Sequence, residues 1–218
     1  MTDPTRLTRR ATVCAAAFVL TLLAGSGCAH AQQSAKPPKP LPAPGLLLAP
    51  LAGQPIAVMP VSFVVSDDVT PAGLPVTRLA QFAWADSIVA EELQARGPEA
   101  TWILPAELRR IARRAPGMVI DPDRMGQAVM RYENLKRVPD PLLSNLRSLV
   151  AMTGSRLVFI PAALRFTPAA EGVSLELTLV LADARNGSIM WRSTPVATAA
   201  TAGAALAATI ARILPDAR

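Results

Sequence analysis

Two neighbouring stretches decide the fold: "RLVFIPAALRF" at residues 156–166 and "GVSLELTLVL" at residues 172–181. The first is apolar throughout its first half, which predicts a central strand. Pro161 within it predicts a bulge or an edge, because proline has no N–H for a sheet ladder. The second alternates apolar and polar residues, which predicts a strand with one wet face. Asn186 and Gly187 then predict a turn, with "SIMWRS" returning as the hairpin partner.

The preceding part of the chain alternates strand and helix patterns. "IAVMPVSFVV" at 56–65 and "TWIL" at 101–104 predict two strands, and apolar residues at helical spacing predict a long helix over 78–96. "PAELRRIARR" at 105–114 predicts a short helix that starts at a proline.

Three further helices complete the pattern. Asp121 and Asp140 each precede a proline, which predicts two helices with capped amino termini, and Gly154 ends the second. A last helix is expected from about Thr201. We therefore predict an α+β fold, a mixed β-sheet packed with helices in a βαβααα-βββ-α order.

The start of the chain is typical of a bacterial export signal. Arg6, Arg9 and Arg10 precede an apolar run at 11–25, and small residues follow it. The run is shorter than the roughly 18 residues that span a bilayer. We therefore expect export and no permanent membrane helix at this segment.

Two cleavage sites compete after this run. The small residues at 24–27 precede Cys28 as in lipoprotein processing, which would leave Cys28 acylated and the chain anchored to a membrane. Ala29-His30-Ala31 is a site for ordinary signal peptidase, and cleavage after Ala31 would release a soluble chain. Both alternatives remain open at this stage, and the anchored one is favoured.

The proline-rich stretch "QQSAKPPKPLPAPGLLLAP" favours anchoring because it predicts a semi-rigid spacer. The stretch from Cys28 to Pro50 could reach up to roughly 70 Å at about 3.1 Å per residue. Such a spacer suits a lipid-anchored domain better than a free amino terminus. The predicted organisation is a signal peptide with lipobox at 1–28, a linker at 29–54 and a periplasmic α+β domain at 55–218.

Residue types exclude several kinds of site in this domain. Both cysteines, Cys14 and Cys28, and the single histidine, His30, precede it. The domain therefore has no disulfide, no ordinary zinc site and no Ser-His-Asp or Cys-His catalytic pair. We expect no cofactor, no metal and no enzyme activity. A hydrolase that depends on two carboxylates is the remaining enzymatic alternative.

Charge singles out one helix. Arg109, Arg110, Arg113 and Arg114 put four positive charges on the short helix at 105–114. They could bind anionic lipid headgroups, cell-wall polymer or an acidic partner, or could form a solvated helix face. The whole chain carries a net charge of +6, and the chain after the predicted signal keeps +4, since Arg6, Arg9, Arg10 and Asp3 contribute +2. That modest excess in an exported protein does not favour nucleic acid as a partner.

A resemblance to a family of bacterial envelope domains rests on the order of these elements and on Asp183, Gly187 and Trp191 around the predicted hairpin. The chain over roughly 56–214 resembles the periplasmic domain of CsgG, the amino-terminal domain of TolB, and PelC- and LpoB-like lipoproteins. The insert at about 116–138 has no match in that pattern. The resemblance implies a non-enzymatic envelope lipoprotein that assembles with envelope proteins or with copies of itself.

The expected function is therefore that of a periplasmic lipoprotein, held at the outer membrane by Cys28, that serves as an assembly, scaffold or accessory component. The alternative is a soluble periplasmic ligand-binding module. A deep apolar pocket with converging polar groups would favour that alternative.

Overall fold

The computed structural model describes residues 45–67 and 71–214. The strands are β1 (Pro55–Val58), β2 (Val64–Ser66), β3 (Thr101–Ile103), β4 (Leu157–Ala169), β5 (Gly172–Asp183), β6 (Ser188–Ser193) and β7 (Val196–Ala199). The α-helices are α1 (Arg78–Arg96), α2 (Pro105–Arg114), α3 (Leu142–Thr153) and α4 (Ala202–Ala211). Short 3₁₀ helices cover Ala49–Leu51, Pro122–Arg124 and Gln127–Arg131.

The long antiparallel strands β4 and β5 form the centre of a mixed seven-stranded sheet. Strands β1 and β2 run parallel to β4 beside its first and second parts, and β3 runs parallel to β1 at the edge. On the other side, β6 and β7 pair antiparallel with the last and first parts of β5. The predicted fold class, α+β with a mixed sheet, is confirmed.

Pro161 produces the predicted bulge in β4. The pairing register between β4 and β5 shifts between Pro161 and Ala163. On the other edge of β4, pairing with β1 extends to Phe159 and pairing with β2 begins at Leu164. Pro161 lies between these two paired segments, where the ladder is already interrupted, so its missing N–H disturbs the sheet little.

The sheet buries apolar side chains on both faces, as alternation along its strands requires. On one face, the helices α1 and α4 cover odd-numbered residues of β5, including Leu175, Leu177 and Leu179. On the other face, α2 and α3 cover Val180 and Ala182. The predicted wet face of β5 is therefore found only in its first half, where Glu176 is exposed.

Aromatic side chains reinforce the first of these cores. Trp102 meets Phe159 edge-on with 5.9 Å between ring centroids, and Trp191 stacks on the same phenylalanine at 6.4 Å. The indole N–H of Trp102 donates to the Gly97 carbonyl at 2.7 Å, which satisfies its polar group. These contacts connect strands β3, β4 and β6.

Side-chain caps set the helix starts as the sequence indicates. The Thr201 hydroxyl accepts from the Ala204 N–H at 3.3 Å, and Thr77 caps α1 in the same way. Asp140 accepts from the backbone N–H of Ser144 at 3.2 Å at the start of α3. Gly154 ends that helix with a φ of 69°, a left-handed conformation that favours glycine.

Two predictions of local structure are wrong. The helix predicted after Asp121 is a pair of 3₁₀ helices, because Gly126 adopts a φ of 78° between them and interrupts any continuous helix. The strand predicted over 56–65 is two strands, β1 and β2, which leave the segment 59–63 between them. Pro60 in that segment cannot donate to a ladder.

The segment 45–54, which the sequence assigns to the linker, packs on the body of the protein. Leu46 and Leu51 belong to the first core, and the Leu46 N–H donates to the Ile213 carbonyl at 2.9 Å. Within the described ranges, none of the helices has both the length and the apolar character needed to cross a membrane.

Candidate partner-binding cleft

Asp86 is a buried carboxylate on the apolar face of α1. It follows Phe82 by four residues and precedes Val89 by three, so helical geometry places it among core side chains. Its residue is only 6% exposed, and its Oδ1 accepts from the backbone N–H of Val61 at 2.7 Å. Asp86 thereby holds the segment between β1 and β2 against α1.

Arg109 of α2 joins this carboxylate to a second one. Its Nη2 donates to Asp86 Oδ2 at 2.5 Å. Its Nε and Nη2 also donate to the two carboxylate oxygens of Asp123, each at 2.7 Å. Such a bidentate pair is more strongly oriented than a single contact. One guanidinium thus connects α1, α2 and the 3₁₀ helix Pro122–Arg124.

Burial and pairing act in opposite directions on these groups. Burial raises the pKa of Asp86 above its ordinary value, and the hydrogen bonds from Val61 and Arg109 only partly offset that effect. The hydrogen bonds to Asp123 and Asp86 raise the pKa of Arg109, which therefore remains charged at all ordinary pH values. The hydrogen bonds therefore hold the cluster together, although burial makes the ionised form of Asp86 less favourable than it is in water.

A cleft of about 490 Å³ opens above this cluster. Apolar side chains form one part of its lining, and Arg109 with two aspartates forms the other. The apolar residues are Val61, Leu79, Phe82 and Ala83, and the aspartates are Asp121 and Asp123. Asp121 Oδ1 accepts from the Asp123 N–H at 3.1 Å, which orders the acidic side.

Large apolar side chains stand exposed beside the cleft. Leu79, which lines it, is 80% exposed, and Val76, which precedes α1, is 97% exposed. Ile120, next to Asp121, is 50% exposed. Exposed apolar side chains grouped beside polar residues are a feature of protein-binding surfaces.

The four predicted arginines do not form one surface. Arg109 is directed into the carboxylate cluster, and Arg110 pairs with Glu107 at 2.5 Å on the same helix. Arg113 lines a recess of about 210 Å³ beside the cleft, next to Asp121 and Asp123. Arg114 is exposed. Helical spacing separates neighbouring positions by 100°, so a run of arginines is divided between different surroundings.

Two other sequence-based expectations concern lipid attachment at Cys28 and metal binding. Cys28 lies outside the described residues, so its acylation stays a prediction. In the part of the chain that the structure describes, no group of three or more histidine, cysteine, aspartate or glutamate side chains could hold a metal ion.

Sequence reasoning missed Asp86 and Asp123 as functional candidates. A signal existed for Asp86, because a carboxylate on an otherwise apolar helix face requires a buried partner. Asp123 offered no such signal, since its contact with Arg109 depends on how the segment after α2 folds back.

Comparisons with known proteins show similarity in fold at low identity. No protein-family model matches the chain, and no curated protein matches it. The LpoB carboxyl-terminal domain from Salmonella enterica aligns with a TM-score of 0.40 and 11% identity, over 68% of this chain and 84% of that one. A PelC dodecamer from Paraburkholderia phytofirmans aligns with a TM-score of 0.39 and 18% identity, over 82% and 96%.

A third solved structure, the lipoprotein GNA1162 from Neisseria meningitidis, aligns with a TM-score of 0.33 and 16% identity, over 66% of this chain and 80% of that one. LpoB and PelC are two of the proteins in the resemblance noted from the sequence, and the likeness to CsgG and TolB stays a prediction. Such weak similarities do not show what this chain binds.

Proposed function

We propose that this protein is an exported lipoprotein of the bacterial envelope, acylated on Cys28, that acts as a non-enzymatic assembly or accessory component. The signal at 1–28 directs export, the linker at 29–54 provides reach, and the domain at 55–218 binds a partner. The location is the periplasm, at the outer membrane. The alternative is a soluble periplasmic ligand-binding module released after Ala31.

The observation that carries the proposal is the cleft above Arg109. Its apolar part offers area for hydrophobic contact, and its polar floor is held in place by Asp86 and Asp123. A preorganised site loses less conformational entropy on binding than a mobile one. Interfaces typically concentrate their binding energy in such central, ordered pockets.

Charge indicates which partner fits. The lining contains two carboxylates and one guanidinium, and Asp86 behind Arg109 adds a third carboxylate. Arg113 in the adjoining recess offsets part of this charge. The remaining negative excess favours a cation, while Leu79 and Phe82 favour an apolar side chain. The expected occupant is a segment of another envelope protein that presents an apolar side chain beside a lysine or arginine.

A photo-cross-linking amino acid at position 79 tests this proposal in living cells. We expect a cross-linked protein when the probe replaces Leu79, and none when it replaces Met152, which is 46% exposed on α3. Mass spectrometry of the cross-linked peptide should identify an apolar residue beside a lysine or arginine.

The variant Asp121→Asn supplies the charge control in the same experiment. Asparagine keeps the side-chain acceptor for the Asp123 N–H and removes one negative charge. The cross-linking yield should fall by a factor of about two to five, as expected for an exposed charge pair. An unchanged yield, or cross-links to a second copy of this chain, would contradict the proposed partner.

Anchoring is tested separately through Cys28. Palmitate labelling and fractionation of membranes washed at high salt, which screens contacts between exposed charges, should show a labelled, membrane-bound chain, and Cys28→Ala should lose both properties. A buried acyl chain contributes about 0.8 kcal/mol per methylene, so its loss should release the chain almost completely. Cys14→Ala serves as the matched control and should retain the label. A mature chain that begins at unmodified Gln32 would support the soluble alternative instead.

A further inference from the structure

Four arginines surround the turn between β5 and β6. Arg147 of α3 donates from Nε and Nη2 to the Arg185 carbonyl at 3.1 and 2.9 Å. Arg137 donates to the Asn186 carbonyl, and Arg156 donates from Nε to Asp183 at 2.6 Å. Because these residues come from separate parts of the chain, only the fold brings them together.

Asp183 neutralises only part of this charge. Its residue is 1% exposed, and its second oxygen accepts from the Arg185 N–H at 2.9 Å. Burial raises the pKa of Asp183. The hydrogen bonds from Arg156 and Arg185 and their positive charges lower it by more, so the net shift of this pKa is downward. Asp183 is therefore ionised at neutral pH and compensates one of the four guanidinium groups.

A recess of about 450 Å³ lies between Arg147 and Arg185. The residues that complete its lining are Val150, Ala151, Gly154 and Ser155, none of which carries a charge. The Arg185 side chain is exposed and donates no hydrogen bond to any residue in the ranges 45–67 and 71–214. The carboxyl end of α3, which Gly154 caps, carries a partial negative charge, so an anion in this recess would have to be held by the guanidinium groups.

This basic surface lies at the end of the sheet where the chain enters the domain. Pairing places Ile56, Leu157, Asp183 and Ser188 in one row across β1, β4, β5 and β6. The segment 45–54 precedes β1 directly and packs at the start of that strand, where the Gly53 N–H donates to the Glu99 carbonyl at 2.9 Å. The first described segment of the chain, residues 45–54, and the arginines of this turn are therefore at the same end of the sheet.

We infer that Arg137, Arg147, Arg156 and Arg185 form a second binding surface, which contacts the anionic phospholipid headgroups of the membrane that holds the chain. The identity of that membrane rests on the proposed anchoring at Cys28. The arginines supply guanidinium groups that fit phosphate oxygens, and the predicted spacer is long enough to allow the approach. Contact at this end leaves the cleft on α1 and α2 available for a partner.

Vesicle binding of the non-acylated chain tests the inference without the anchor. The chain from residue 28 onward, carrying Cys28→Ala, is sedimented with vesicles of phosphatidylcholine alone or with about one-third phosphatidylglycerol. We expect binding only to the anionic vesicles. Arg185→Gln should weaken it about fivefold, and Arg147→Gln with Arg185→Gln about 25-fold, since each basic side chain near an anionic surface adds a similar factor.

The double variant Arg113→Gln with Arg114→Gln removes the same charge from α2 and should bind as tightly as the parent chain. Equal weakening in both double variants would overturn the site, because it would reflect net charge alone. Displacement by millimolar inorganic phosphate would overturn the lipid as ligand in favour of a free phosphate. Equal binding to neutral vesicles would also contradict the inference, whereas failure of palmitate labelling would affect only the proposed anchor. Arg185→Gln removes no side-chain hydrogen bond among the described residues and loses only the charge interaction with Asp183, so this variant should keep the fold.

Discussion

Replacement of Gly172 by alanine is expected to lower the free energy of unfolding by about 2–6 kcal/mol. Gly172 begins β5 with a φ of 112°, a conformation that costs an alanine about 1–3 kcal/mol. An added Cβ would also lie 2.3 Å from the Ala199 carbonyl oxygen and 2.8 Å from the Ala200 Cα. Because both are backbone atoms, relief requires β7 to move away from β5, which adds an overpacking cost of about 1–3 kcal/mol.

Denaturant unfolding of Gly172→Ala and Gly53→Ala measures this effect. Gly53 has a φ of 70°, and no atom lies within 4 Å of an added Cβ there. It should therefore show only the left-handed backbone cost of about 1–2 kcal/mol. Equal losses in the two variants would show that the contact between Gly172 and β7 is unimportant.

Asp86→Ala is expected to cost about 2–4 kcal/mol of unfolding free energy. The change leaves the buried Val61 N–H without its acceptor and removes the 2.5 Å contact with Arg109. An unsatisfied buried donor costs about 1–3 kcal/mol, and loss of a charge-assisted hydrogen bond adds a similar amount. The variant no longer buries a carboxylate, and the desolvation penalty that it avoids offsets part of this loss.

Asp123→Ala is the matched control, since it also removes a carboxylate that contacts Arg109. Its side chain is 42% exposed, so its loss should cost less than about 1 kcal/mol. Both variants are compared by urea unfolding. A loss from Asp123→Ala as large as that from Asp86→Ala would contradict the view that burial makes the difference.

The raised pKa of Asp86 also predicts the sign of a pH effect. The folded protein holds this proton more tightly than the unfolded chain, so ionisation of Asp86 opposes folding. Its contribution to stability should fall as pH rises from the ordinary value of 3.8 through the raised pKa. The free energy of unfolding of the parent chain, measured relative to that of Asp86→Asn, should therefore fall as pH rises over that range.

Much of the secondary structure was predictable because its signals are local. The alternation in β5, the turn at Asn186 and Gly187, and the caps at Thr201 and Asp140 each depend on residues a few positions apart. The same reasoning failed after Asp121, where Asp-Pro suggested a helix. A short 3₁₀ helix begins with the same residues, and the left-handed Gly126 decides between the two.

The candidate sites were predictable only in part, because their partners are distant in sequence. The arginines of α2 were evident as charges, but Arg109 meets Asp86 and Asp123 at separations of 23 and 14 residues. The arginines at the β5–β6 turn were not evident at all. They are scattered along the sequence from residue 137 to residue 185, and only Arg137 stands next to another basic residue, Lys136.

The sequence by itself determined most of the segments that become strands and helices and which of their faces are apolar, while the export signal stays a prediction. Side-chain periodicity carries that information over a few residues. Only the tertiary structure decided that Arg109 is neutralised while Arg147 and Arg185 converge on one recess. The physical reason is that the charge state and desolvation of a side chain depend on its neighbours in space. The pairing of strands β1, β4 and β5 determines which residues become neighbours.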